Sequence, residues 1–323
     1  MTAGKAAGAG GGGMPRAIAD YLGMLGVLLA LIVFFSLTAP NFLTVRTFQT
    51  IANQAPDAIV IAVGMTFVLI IGGIDLSVGS VMALSGAVLG VGMAQWGWSL
   101  PTAAAVGLGV GLLCGAANGA LTVRWPIPSF IVTLGMMEIA RGAAYLTVSS
   151  QTQYVGSRIG VLADTRVLGL SLPFLIAIAV VVVGQAVLSG TTFGRHVLAI
   201  GANEEAARLS GLATGRSRLI VFAACGMLSG LASVILVSRM ASADPNMGTG
   251  YELQAIAAVV IGGTSLMGGR GSVVKSFFGV LIIAVLGYGL AQMGAQDPTK
   301  RVVTGAVIVA AVIADYYRGR MRR

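Results

Sequence analysis

Charged side chains are scarce in this sequence. Asp, Glu, Lys and Arg make up 10% of the 323 residues, while 56% are hydrophobic; a soluble domain carries about 25% charged residues. So few charges cannot cover a water-facing surface, so the solvent of this chain is largely lipid. Histidine is nearly absent too. His196 stands alone, which argues against a His-based metal site. The two cysteines, Cys114 and Cys225, fall inside apolar runs and read as small core residues, not as a disulfide or a metal pair. The short alternating segments of a membrane β-barrel are missing. No Gly-x-x-x-x-Gly-Lys-Ser/Thr occurs. The nearest stretch, Gly263–Gly268, is followed by Gly269-Arg270 where Lys and Ser/Thr would hold phosphate and magnesium. His-Glu-x-x-His, Cys-x-x-Cys and Gly-x-Ser-x-Gly are lacking as well, which argues against a membrane enzyme.

What is present is a series of apolar runs near the ~20 residues needed to cross a bilayer. The reading is all-α, a polytopic integral membrane protein with about ten transmembrane helices. The expected spans are about 17–37, 55–71, 81–95, 102–123, 129–148, 172–188, 219–237, 253–267, 274–293 and 302–314. They form one membrane domain, 17–315, between a disordered Gly/Ala-rich tail, 1–16, and a basic tail, 316–323. The 47 glycines suit close helix packing, and Gly107, Gly111 and Gly115 make a small-residue row on one face.

Ten spans put both ends on one side. Thirteen of the 20 basic residues fall on that side with the 190–218 loop, and six fall opposite. Excess Lys and Arg mark the cytoplasmic side, so both termini and that loop are expected in the cytoplasm of a plasma membrane. The net charge of +9 is spread over span ends and does not suggest nucleic acid.

The 190–218 loop holds a short helix of about two turns. Asn203 is a good N-cap, Glu204 and Glu205 suit the positive helix end, and Gly211 suits a left-handed C′ position. Glu204 and Arg208 share a face at i, i+4. Helices this short are marginal in water, so it must dock, either on its own protein or on a partner. Inside the membrane, Glu138 and Arg141 form an i, i+3 pair that reads as a structural ion pair. Asp75 lies in the Gly-rich break 72–80 and either caps the next helix or lines a solute path. Ser77, Gly79, Asn118, Gln254 and Thr264 are further pathway or gate candidates. A second Gly-rich break, Ile261-Gly262-Gly263 to Gly271-Ser272-Val273, echoes the first. A secondary transporter driven by protons or sodium would need a titrating carboxylate, and Asp75 and Glu138 are the candidates. A membrane scaffold is a third reading.

Three stretches carry a family resemblance. They are Ala62–Thr66 with Gly73–Ser80, Gly201–Gly211, and Gly248–Leu253 with Ala255–Leu266. Together they resemble the permease subunits of ribose-type sugar ABC importers, in the family's order from about 40 to 315. The resemblance implies a homodimer around one path, two ATP-binding cassette ATPases on the cytoplasmic face, and an extracytoplasmic sugar-binding protein. It implies no cofactor in this chain, with ATP and Mg on the partner ATPase. It makes Gly201, Asn203, Glu204, Glu205, Ala206, Arg208, Leu209 and Gly211 the coupling helix that seats in the ATPase. Gln254 departs from a frequent Asp, and Trp125-Pro126 from a more basic turn; the first departure bears on substrate choice or binding-protein contact.

Overall fold

The computed structural model describes residues 16–125, 127–167 and 169–320. The expected disordered tail, except Arg16, lies outside the described residues, as do Pro126 and the last three residues of the basic tail. The described residues form helices with two short antiparallel strand pairings. In order they are α1 (Arg16–Thr38), α2 (Val45–Gln54), α3 (Pro56–Ile70), α4 (Val78–Ala94), α5 (Leu100–Arg124) and α6 (Ser129–Thr147). Then come β1 (Gln153–Tyr154), α7 (Ser157–Asp164), β2 (Arg166–Val167), β3 (Leu170–Ser171), α8 (Leu172–Gly190), α9 (Thr192–Ala202) and α10 (Glu204–Leu209). The chain closes with α11 (Thr214–Met240), β4 (Ser242–Ala243), α12 (Tyr251–Ile261), α13 (Val273–Gln292) and α14 (Asp297–Arg320). β1 pairs antiparallel with β4, and β2 with β3.

Every expected apolar segment holds a helix, but not every one is a full span. Length and composition identify α1, α5, α8, α11 and α13 as membrane-crossing, and α2 with α3 as a sixth crossing bent by 49°. The expectation of ten is therefore finer than these helices support. α12 ends at Ile261 instead of continuing to 267, because Gly262 and Gly263 (φ +80°) turn the chain. α4 is 17 residues long. α6 carries two charges near its middle. α14 continues as helix to Arg320.

The core gathers around α3, α4 and α11. α3 is buried along nearly its whole length, from Pro56 to Ile70. α11 packs on α5 backbone to backbone. A Cβ on Gly111 would overlap the Gly226 carbonyl, and one on Gly115 would overlap the Phe222 carbonyl. The small-residue row is thus a helix contact, as small residues permit in a membrane. A second, smaller cluster joins α1 to α13 through Phe35, Phe42, Val285 and Leu286. Residues 243–250 run along α4: added Cβ atoms at Gly90, Gly86 and Gly79 would meet Ala243, Met247 and Gly248 in turn. This non-helical backbone enters the bundle where protein surrounds it, the only place such backbone is tolerated.

Candidate functional site

The 190–218 loop is two helices, not one. Thr191 caps α9, accepting from Gly194 N–H at 3.2 Å. Asn203 ends α9 and caps α10, its side chain accepting from Ala206 N–H at 2.9 Å. Gly211 follows at φ +84°, the left-handed conformation that closes a helix. Of the six residues of α10 only Ala207 is buried; Leu209 is 80% exposed. Glu204, Glu205, Ala206 and Arg208 are exposed as well.

The charge pairing differs from the i, i+4 expectation. Glu204 pairs with Arg218 on α11, Oε2 to Nη2 at 2.6 Å, and Arg208 lies 4.0 Å from Glu205. Arg218 is the more buried arginine and stands on a long packed helix, so it reaches Glu204 from a fixed base and sets the angle of α10 against α11. Just before α10, Gly201 packs against bare backbone. A Cβ there would overlap the Ile70 carbonyl and lie 2.6 Å from the Gly269 nitrogen. Gly269 N–H in turn donates to Ile70 O at 2.8 Å. The end of α9, the end of α3 and the loop after α12 are thereby clasped without a side chain. The two Gly-rich breaks that echo each other in sequence meet here.

The first break carries a buried polar network. Ser77 N–H and hydroxyl donate to Asp75 Oδ1 at 2.8 and 2.6 Å, and the Asn118 amide donates to Ser77 Oγ at 2.9 Å. All three residues are buried. Asp75 thus closes the turn that starts α4. α6 satisfies the backbone beside it: Ile74 N–H donates to Ser129 Oγ at 2.9 Å and Leu76 N–H to Thr133 Oγ1 at 3.0 Å. Asn118 Oδ1 and Thr264 Oγ1 are buried with no hydrogen-bond partner among the described residues. The other pathway candidates stand elsewhere. Gly79 faces Gly248 and Glu252. Gln254 lines a small, mainly apolar cavity with Ala58, Tyr251, Ala258 and Val280. Among the six candidates, hydrogen bonds join only Asp75, Ser77 and Asn118.

Glu138 and Arg141 do not pair. Arg141 Nη1 donates to the carbonyls of Pro245 and Met247 at 2.5 and 2.9 Å, and the neighbouring Tyr145 hydroxyl donates to Asn246 Oδ1. Arg141 thus takes two backbone acceptors in the inserted 243–250 segment in place of a carboxylate. Glu138 is left exposed.

One charged cluster escaped the sequence reading. Asp57 is buried at the start of α3, paired with Arg239 at 3.2 Å and accepting from the Tyr251 hydroxyl at 2.7 Å. Arg239 also donates to Asn53 O and Gln54 O at 3.2 and 3.1 Å. Pro56-Asp57 reads as a helix start, where an acid needs no distant partner.

A transport family described as "Branched-chain amino acid transport system / permease component" matches residues 47–312. Ribose import permease protein RbsC of Escherichia coli is 39% identical over 295 residues, covering 89% of this chain and 91% of that protein. RbsC of Bacillus subtilis is 39% identical over 306 residues, covering 94% of each. L-arabinose ABC transporter permease protein AraH of Azospirillum brasilense is 38% identical over 309 residues, covering 93% of this chain and 89% of that protein.

Proposed function

Because the chain belongs to the family of branched-chain amino acid transport system permease components, the membrane subunits of ABC importers, we propose that it imports a monosaccharide or related polyol as one of two copies around a shared path. The observation that carries the mechanism is α10: a capped helix with all but Ala207 exposed, joined by Arg218 and by the Gly201 clasp to helices of the core. A surface helix whose only role was to cover its own protein would bury a whole face. This one offers its surface outward, as a helix must to seat in a partner ATPase on the cytoplasmic side.

Import then follows from linked equilibria. ATP binding draws two cassettes together and displaces the two α10 helices. Each state of the ATPase favours one state of the bundle, by the difference in its affinity for the two. Through the clasp, that displacement reaches the ends of α3 and α12 and the polar break beside them. A sugar-binding protein delivers solute from the far face. The relatives named for ribose and L-arabinose support a pentose as the first class to test.

The test is reconstitution of the copurified complex in vesicles, with ATP inside the compartment that holds the ATPase and no ion gradient. Uptake of ribose or arabinose that requires ATP and the binding protein is the expected result. Buried Asp75 keeps an ion-coupled transporter as the competing reading; uptake that follows an imposed proton or sodium gradient and ignores ATP would establish it instead.

A further inference from the structure

Asp75 and Asn118 are enclosed by the chain itself, at 1% and 0% exposure. Both hydrogen bonds to Asp75 end on one oxygen: the Ser77 N–H and hydroxyl donate to Oδ1 at 2.8 and 2.6 Å. Oδ2 receives none among the described residues. The Asn118 amide nitrogen donates to Ser77 Oγ at 2.9 Å, which leaves Asn118 Oδ1 buried without a donor. No lysine, arginine or histidine among the described residues pairs with Asp75. The titratable groups that face it are the thiols of Cys114 on α5 and Cys225 on α11, uncharged near neutral pH. α4 has no charged side chain. α6 meets the break with hydroxyls: Ser129 and Thr133 take up the Ile74 and Leu76 N–H groups, and Thr133 donates to Ile74 O at 3.2 Å.

Two effects compete at Asp75. The start of α4 and the two donors favour a carboxylate. Burial disfavours it, and a buried carboxyl with no counter-charge takes up a proton instead. The hydrogen-bond pattern decides between them. An ionised carboxylate accepts on both oxygens, whereas a protonated acid can accept on one and donate from the other. Here one oxygen takes both donors and the other takes none. The side-chain oxygen beside them that lacks a donor belongs to Asn118. We propose that Asp75 is a proton-binding site: in this state of the bundle Oδ2 carries a proton, and Asn118 Oδ1 accepts it, directly or across one buried water. One proton then removes the buried charge and satisfies the orphan oxygen together. It comes from solvent and returns there when the break opens to water. Gly72, three residues before Asp75, packs against Gly268 of the clasp, so the proton holds closed the segment that the clasp touches. A proton held at rest is not one carried across, and this assignment is independent of what the chain transports.

The tests use the full chain purified in detergent, so neither depends on uptake. Asp75→Asn keeps an acceptor for Ser77 and a donor for Asn118 without a titrating group. A carboxyl whose folded pKa lies above its unfolded value of about 3.9 costs stability as pH rises toward the folded pKa, because the folded state binds more protons. The unfolding temperature of Asp75→Asn relative to the parent should therefore climb between about pH 5 and pH 8, as the parent's folding equilibrium loses up to about tenfold per pH unit. A gap that is constant or shrinks with pH overturns the inference. So does stabilisation of the parent, and not of Asp75→Asn, by sodium or potassium, which would put a metal cation where the proton is assigned. Infrared absorption covers the case in which Asp75→Asn does not fold. It is measured with Glu138→Gln, so that Glu138, which has no partner among the described residues, does not contribute. At neutral pH the chain should show the carbonyl stretch of an un-ionised carboxylic acid. Asn118→Leu should move that band to higher frequency, because the acid loses its hydrogen bond. Absence of the band refutes the proton, and an unmoved band refutes Asn118 as its acceptor.

Discussion

Arg239, near the end of α11, and Arg141 on α6 each bind backbone carbonyls outside their own helix. Arg239 satisfies Asp57, which has no access to solvent. Removing one partner of a buried pair strands the other charge, at about 3–5 kcal/mol; Arg239 is partly exposed, so the low end applies. Arg239→Ala should therefore lower the thermal unfolding temperature of the detergent-solubilised chain. Adding Asp57→Asn should restore part of the loss, because the stranded charge is then gone. An equal or greater loss in the double variant would mean that the pair contributes through packing alone. At α10 the arginines divide differently. Arg218→Ala should cut ATP-driven uptake several-fold more than Arg208→Ala, because Arg218 and not Arg208 meets Glu204 at hydrogen-bond distance. Equal losses would return Glu204 to its i, i+4 neighbour. Spacing within one helix suggested both pairs that the structure rearranges. Helix periodicity identifies neighbours on a single helix, but Arg141 and Glu204 found better-placed partners on other segments, more than ten residues away in sequence.

The elements near α10 were legible to different degrees. Asn203, the two glutamates and Gly211 mark the ends of α10 by their own chemistry, and the structure places the cap and the left-handed glycine where that chemistry requires. α9 was not legible, since Thr192–Ala202 holds two glycines and sits in what reads as a polar loop. Its role lies in its last turn. Gly201 lies so close to Ile70 and Gly269 that a methyl group has nowhere to go, and packed backbone yields little to an added carbon; overpacking costs about 1–3 kcal/mol. Gly201→Ala should keep ATP hydrolysis in the assembled complex within about twofold of the parent and reduce uptake per ATP by tenfold or more. Gly190→Ala, eleven residues earlier with nothing within 4 Å of its Cβ, should leave both unchanged. If Gly201→Ala imports with normal stoichiometry, the clasp transmits nothing. α12 was misjudged for a similar reason. Apolar residues continue past Ile261, but Gly262 and Gly263 let the backbone turn toward the clasp, and composition averaged over a window does not register a turn.

For the molecule as a whole, contacts and charge bear on sidedness in different ways. Contacts sort the loops into two ends. The end of α9, the end of α3 and the loop after α12 meet at the Gly201 clasp. At the other end Arg239 meets the start of α3, β1 pairs with β4, and Arg158 donates to Met93 O at 2.9 Å. Geometry alone says which loops share a side and is silent on which side is inside. Charge would supply the sign under the ten-span reading, in which thirteen basic residues fall with the 190–218 loop and six opposite; an excess of Lys and Arg is expected on the cytoplasmic side. Single cysteines at Leu209 and Trp96, both exposed, turn this into a measurement. With Cys114 and Cys225 replaced, an impermeant thiol reagent added to intact cells should label Trp96→Cys and spare Leu209→Cys, and permeabilisation should expose the second. Labelling of Leu209→Cys from outside would place α10 beyond the reach of any ATPase. The importer mechanism would fall at once, since no arrangement of the other helices could bring that capped surface to a cytoplasmic motor.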